Sequence, residues 1–119
     1  MTILSEVLIG VVALIHLYIV WIEMFAWESR GPKVFSSLPK ELFGQTKAMA
    51  ANQGLYNGFL AAGLIWSLMI ADAEWQVTIA LFFLLSVAVA GLYGAISVTK
   101  KTLYVQTIPA VLAMISLFL

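Results

Sequence analysis

Long apolar segments constrain this chain more than any other feature of its sequence. Four of them cover approximately residues 3–27, 49–70, 76–98 and 103–119. A helix needs about 20 apolar residues to cross the roughly 30 Å hydrocarbon layer of a membrane, and only the last segment is short. Of the 119 residues, 63% are hydrophobic and 10% are charged, against about 25% charged in soluble domains. We therefore expect an all-α integral membrane protein, a four-helix bundle whose single transmembrane domain covers residues 1–119.

The same composition excludes several other classes of protein. The chain has no cysteine, which removes disulfides, thiol nucleophiles and thiolate metal sites. A spanning β-barrel needs roughly eight or more strands of alternating pattern, whereas these segments are continuously apolar. Within the first segment, Glu6 precedes an apolar run that continues to Trp27 and is too long for a signal peptide, so we interpret the segment as a retained helix. The formal net charge of zero predicts no nucleic-acid surface.

Basic residues predict the orientation of the bundle, because short loops rich in lysine and arginine stay on the cytoplasmic side. The first loop, residues 28–48, and the third loop hold every basic residue. The charged residues of the second loop, residues 71–75, are all acidic. The basic residues are Arg30, Lys33, Lys40, Lys47, Lys100 and Lys101. Loops one and three of a four-span chain share a side, so both termini are predicted to lie outside the cytoplasm.

The first loop is the only one long enough to have structure of its own. Pro32 and Pro39 bracket Val34, Phe35 and Leu38 within it. Apolar residues between lysines are typical of a segment lying on the inner membrane surface. A solvated connector with a short helical turn is the alternative. Tryptophans near the predicted membrane boundaries are interpreted as interfacial anchors; they are Trp27 and Trp75.

Two ionisable side chains fall inside the first apolar segment, where each costs at least about 2.5 kcal/mol if it faces lipid. His16 and Glu23 are seven residues apart, so they lie two turns apart on one helix face. We expect this face to point into the bundle, with Glu23 near the cytoplasmic boundary and His16 near mid-depth.

The other three segments bring polar groups to the same depth. The second segment does so in its first two turns, the third through a tyrosine between two serines, and the fourth through a glutamine. An unpaired amide in hydrocarbon costs several kcal/mol, so we expect these groups to meet in one cytoplasm-facing pocket. The predicted ligand-binding residues are His16, Glu23, Asn52, Gln53, Tyr56, Asn57, Tyr93 and Gln106.

Such a pocket fits a small polar or amphiphilic ligand, with an aromatic wall from Trp27, Phe59 and Trp66. Transport of that ligand by so small a bundle would require a dimer. One alternative is a membrane-embedded acid-base enzyme, isomerase-like, that uses His16 and Glu23. Another is a structural or partner-binding bundle whose polar groups only hold the helices together. No catalytic residue is assigned, and we expect no metal and no cofactor because one histidine and one carboxylate are too few ligands.

Small residues form two ridges at helical spacing. One consists of Gly54, Gly58 and Ala61, and the other of Ser86, Ala90 and Gly94. Such ridges let helices approach closely. They pack helices of one bundle more often than they pack two subunits, so the pattern alone does not decide whether the protein forms a homodimer. Membrane lipid is the other expected partner.

Two stretches of the sequence resemble a known family. They are His-Leu-Tyr-Ile-Val-Trp-Ile-Glu-Met-Phe-Ala-Trp at residues 16–27 and Asn-Gln-Gly-Leu-Tyr-Asn-Gly-Phe-Leu-Ala at residues 52–61. They look like the bacterial family called domain of unknown function 1304, and the likeness covers nearly the whole chain. The resemblance implies a small four-helix, multi-pass protein of the bacterial cytoplasmic membrane. It does not imply any particular activity. The family's pattern falls here on His16, Glu23, Asn52, Gln53, Gly54, Tyr56 and Asn57.

Overall fold

A computed structural model describes all 119 residues and confirms the all-α prediction. It contains five α-helices and no β-strand. Their bounds are α1 Ile3–Phe25, α2 Gly31–Val34, α3 Lys47–Met69, α4 Ala73–Ser97 and α5 Ile108–Ser116. A 3-10 turn at Lys40–Leu42 lies between α2 and α3, and a π-helical turn at Leu103–Thr107 leads directly into α5. The molecule measures 48 × 24 × 18 Å, so it is long in one direction.

Side-chain caps determine where α1 and α4 begin. Thr2 Oγ1 accepts a hydrogen bond from the backbone N–H of Ser5 at 3.2 Å. Asp72 Oδ2 accepts one from the backbone N–H of Trp75 at 3.0 Å. The first N–H groups of a helix have no partner within the helix, so a side-chain oxygen at this position stabilises its start.

The π-helical turn before α5 has a local cause. Pro109 has no backbone N–H for the carbonyl of Val105, its partner in a regular α-helix, and its ring would clash with that carbonyl. The wider turn at Leu103–Thr107 accommodates the proline. Such turns occur frequently at functional sites, and this one contains Gln106, one of the predicted site residues.

Helices α1, α3, α4 and α5 pack in a closed ring in that order, with α5 returning to α1. Apolar side chains fill the part of the ring that contains the start of α1 and the end of α3. Because this core includes many alanines, the helices approach one another closely there. It consists of Ile9, Val12, Ala13, Leu64, Ala80, Leu84, Val87, Ala88, Ala110 and Ala113.

The first loop folds back onto the other end of the molecule and forms a second apolar cluster. Ile22, Trp27, Phe43 and Ala50 are buried there, and Val34, Phe35 and Leu38 pack against them. The Trp27 indole N–H also donates to Thr46 Oγ1 at 3.0 Å. Trp27 is only 9% exposed, so its prediction as an interfacial anchor is wrong. Trp75 is 62% exposed.

The first and third loops meet at this end of the molecule. Lys101 Nζ donates a hydrogen bond to the carbonyl oxygen of Val34 at 2.6 Å. Val34 ends α2, whereas Lys101 precedes the π-helical turn. The two loops that hold all the basic residues therefore lie together.

Two of the helices, α1 and α4, are long and apolar enough to cross a membrane. They contain 23 and 25 residues, which gives each a length of about 35 Å. Helix α3 has the length but carries polar residues in its first half, and the π-helical turn with α5 forms a shorter apolar helix, Leu103–Ser116. The exposed surface includes many large apolar side chains, among them Leu14, Trp21, Phe25, Phe82, Leu85, Leu92 and Ile96.

Candidate functional site

A cavity of about 450 Å³ lies between α1, α3, α4, the π-helical turn and the first loop. We call it the main cavity. Its polar lining includes five of the eight predicted site residues, which are Glu23, Gln53, Asn57, Tyr93 and Gln106. Its apolar lining includes Ile19, Val98 and Val105. This volume is within the usual range for small-molecule sites, about 300 to 1,000 Å³.

Glu23 is the acidic group of the main cavity. Asn57 Nδ2 donates a hydrogen bond to Glu23 Oε1 at 2.6 Å. Every fully buried polar side-chain atom of the protein has a hydrogen-bond partner, and Glu23 Oε2 makes no hydrogen bond. Oε2 therefore keeps some accessible surface, although the residue as a whole is only 7% exposed, and Glu23 lines the cavity. The carboxylate has one oxygen held by the protein and one free to accept from a ligand.

A close approach of two helices positions this pair. A Cβ added at Gly54 would lie 2.6 Å from Met24 Cγ and 3.0 Å from Glu23 Cβ, so only glycine lets α3 lie this near α1. Gly58 also faces α1, but a Cβ added there would make only an ordinary van der Waals contact, at 3.8 Å from Val20 Cγ2. The first small-residue ridge thus packs within the chain, as the sequence favoured.

A second, shallower cavity of about 270 Å³ adjoins the main one, and we call it the side cavity. Glu23, Gln53 and Phe35 line both cavities. The side cavity is otherwise bounded by the aromatic cluster of the first loop and the start of α3, at Trp27, Leu38, Thr46, Met49 and Ala50. The carboxylate of Glu23 therefore lies where the two cavities meet.

His16 is fully buried behind the main cavity. Its Nδ1 lies 2.8 Å from the carbonyl oxygen of Val12, which only accepts, so Nδ1 carries the proton. Its Nε2 lies 3.4 Å from Gln106 Nε2, so Nε2 accepts from the amide of Gln106. The imidazole does not line the cavity. It positions Gln106, which does.

The structure separates the polar residues of α3 into two groups. Gln53 and Asn57 line the main cavity, whereas Asn52 and Tyr56 line neither cavity. Asn52 is exposed, and Tyr56 is 60% exposed and packs its ring edge-on against Phe59. These two predicted ligand-binding residues lie on the outer surface of the ring.

The predicted aromatic wall is also absent from the main cavity. Phe59 and Trp66 are more than half exposed, and Trp27 borders only the side cavity. Tyr93 lines the main cavity and is 71% exposed. The apolar lining is instead aliphatic, apart from the ring of Phe35.

Sequence reasoning missed the contribution of the two loops to this site. Residues 34–37 of the first loop line the main cavity, and so do Thr99, Lys101 and Thr102 of the third loop. The signal available for the first loop was its apolar residues between two prolines. Lys101 gave no local signal, because the hydrogen bond that places it joins residues far apart in the chain.

The arrangement limits the chemistry available. No three His, Asp or Glu side chains come together in a way that would hold a metal ion. The serines of α4 donate to carbonyl oxygens of their own helix, Ser86 to Phe82 at 2.8 Å and Ser97 to Tyr93 at 2.7 Å. The helices supply hydrogen-bonding groups to the cavity through Glu23, Gln53, Asn57 and Gln106.

Fold and cavity together define a small all-α protein with apolar outer surfaces and, between its helices, a mainly apolar cavity that several polar side chains line. The family described as "Protein of unknown function (DUF1304)" matches residues 10–118. An uncharacterized protein, YpaA, of Lactococcus lactis subsp. lactis (strain IL1403) is 36% identical over 120 residues, covering 99% of each chain. The chain therefore belongs to the DUF1304 family, which confirms the resemblance noted from its sequence. No solved structure matches it.

Proposed function

We propose that this protein is a four-span integral membrane protein that binds a small polar or amphiphilic ligand in its main cavity. The observation that carries the proposal is Glu23, a residue of the cavity lining whose carboxylate is held by Asn57 at one oxygen and keeps accessible surface at the other. Placing a carboxylate among apolar membrane helices costs free energy, and residues of this kind usually have a function. The neighbouring amides of Gln53 and Gln106 supply further donors and acceptors for the same ligand.

The membrane assignment is supported by the helices and by the surface. Helices α1 and α4 have the length and hydropathy to span, and the outer surface is rich in large apolar side chains. Soluble monomers rarely expose contiguous apolar patches above a few hundred Å². In this proposal α3 and the π-helical turn with α5 also span, and Asn57 and Gln106 of these two elements face the main cavity.

Both termini are proposed to lie outside the cytoplasm. The contact between Lys101 and Val34 at 2.6 Å brings the two basic loops to one end of the molecule, as positive-inside retention requires. We expect a periplasmic reporter fused to either terminus to be active, and a cytoplasmic reporter inserted in the first loop to be active. A silent periplasmic reporter at both termini would contradict this orientation.

The ligand proposal is tested by replacing Glu23 with glutamine, which keeps the shape of the side chain and removes the charge. The full chain is purified in an uncharged detergent, and its retained small molecules and lipids are identified by native mass spectrometry and extraction. We expect wild-type protein to retain a ligand and Glu23→Gln to lose most of it. One hydrogen bond to a charged group corresponds to roughly a tenfold or larger change in affinity.

Glu6→Gln is the matched control, because Glu6 is an exposed residue at the other end of the same helix. It should retain ligand as the wild type does. Wild-type protein that is folded and empty would point instead to a structural bundle. Transport would further require a second copy of the chain, which cross-linking in membranes would detect.

A further inference from the structure

Two opposite charges line the main cavity without neutralising each other. Glu23 and Lys101 are the only charged side chains in its lining. The only ion pair in the protein is between Lys47 and Glu28, at 3.4 Å and on the exposed surface. The acid and the base of the cavity are therefore held apart, each by its own element.

Each of the two charged groups keeps unused hydrogen-bonding capacity. Glu23 Oε2 has no partner, whereas Oε1 is bound by Asn57. Lys101 Nζ gives one of its three N–H groups to the Val34 carbonyl and has two left. The cavity thus presents an acceptor on one wall and a donor at the junction of the two loops.

We infer that the ligand is a zwitterion, with an ammonium group that binds Glu23 and a phosphate or carboxylate that binds Lys101. This inference rests on the proposed function and names the chemical class of its ligand. A charge in an apolar setting is best stabilised by an opposite charge with hydrogen bonds. A molecule carrying both charges can bind the acidic and the basic group of the cavity at the same time.

The other lining groups fit the two ends of such a molecule. Ser36, Ser37 and Thr99 also line the cavity, and Thr99 Oγ1 accepts a hydrogen bond from the backbone N–H of Lys101 at 3.3 Å. Hydroxyls can donate to anionic oxygens. Ile19 and Val105 provide apolar contact for carbon atoms. A free amine-acid metabolite and the headgroup of a zwitterionic lipid share this chemistry.

The test compares matched probes on the full chain in uncharged detergent. Phosphoethanolamine carries both charges, ethanolamine carries only the ammonium group, and inorganic phosphate carries only the anion. We expect phosphoethanolamine to bind at least tenfold more tightly than either single-charge probe by isothermal titration. Glu23→Gln and Lys101→Gln should each weaken its binding about tenfold or more.

A second experiment, with lipids, distinguishes the two sources of the ligand. The protein is placed in nanodiscs that contain either phosphatidylethanolamine or phosphatidylglycerol in an uncharged lipid background, and the retained lipid is counted by native mass spectrometry. Selective retention of phosphatidylethanolamine that depends on Glu23 and Lys101 would identify the ligand as a lipid headgroup. Binding of phosphoethanolamine without such retention assigns a free metabolite.

Lys100→Gln is the matched control for Lys101→Gln, because Lys100 is the adjacent lysine and does not line the cavity. It should bind every probe as the wild type does. If Lys101→Gln keeps wild-type affinity, or ethanolamine binds as tightly as phosphoethanolamine, the zwitterion inference is overturned while the proposed binding function stands. If no probe or lipid binds, the zwitterion inference is likewise overturned, whereas the proposed binding function fails only if folded wild-type protein also retains no other small molecule.

Discussion

Replacing Gly91 with alanine should lower the free energy of unfolding by about 1 to 3 kcal/mol, the usual cost of overpacking a close contact. An added Cβ would lie 2.8 Å from both Gln106 Cβ and the backbone nitrogen of Thr107, and it would also meet Thr107 Oγ1. Because one of these atoms is backbone, no rotation of a side chain relieves the clash. The π-helical turn and α4 must therefore move apart. Thermal unfolding in detergent measures the effect.

Gly10→Ala is the matched control for this substitution. Gly10 lies within α1, and an added Cβ there meets no atom within 4 Å. Alanine is favoured over glycine in a helix interior by about 1 kcal/mol, so the control should be unchanged or stabilised. Equal stability changes in the two variants would show that the contact between α4 and the π-helical turn is not tight.

The positions of the long helices could be predicted from hydrophobicity alone. The apolar segments at 3–27, 49–70 and 76–98 correspond to α1 Ile3–Phe25, α3 Lys47–Met69 and α4 Ala73–Ser97. The last segment differs, because Pro109 divides it into the π-helical turn and α5. Hydropathy measures how apolar a stretch is and does not register a lost backbone hydrogen bond.

The inward face of α3 was harder to predict from sequence. Successive helical residues are rotated by about 100°, so Asn57 and Gly54 lie on one side and Tyr56 on the other. Asn52 with Tyr56 and Gln53 with Asn57 are both pairs four residues apart, and polarity alone favoured neither. Gly54 was the better signal, because a small residue marks the face where another helix approaches.

The positions and contacts of the loop residues could not be predicted from local sequence patterns. Trp27 follows a long apolar segment, a position typical of an interfacial anchor, but the first loop folds back over it and buries it among Phe35 and Phe43. Lys101 reaches the cavity through a hydrogen bond to Val34. Contacts between residues so distant in sequence leave no periodic pattern to detect.

Replacing Asn57 with leucine should destabilise the protein by about 1 to 3 kcal/mol, because it leaves Glu23 Oε1 without its donor inside the protein. The two side chains have the same branched arrangement of non-hydrogen atoms, so leucine leaves no void and the expected loss comes from the missing hydrogen bond. Thermal unfolding of the single variant in uncharged detergent gives the size of this effect.

The double variant Glu23→Leu with Asn57→Leu should recover most of that loss. Replacing both partners of a buried hydrogen bond by apolar groups is often neutral or stabilising, and the pair joins α1 to α3 where Gly54 already brings them close. The expected product is a stable protein that no longer retains its ligand, which separates binding from folding. A double variant less stable than Asn57→Leu alone would indicate that Glu23 stabilises the bundle through contacts other than Asn57. Retention of ligand by a stable double variant would remove Glu23 from the binding site.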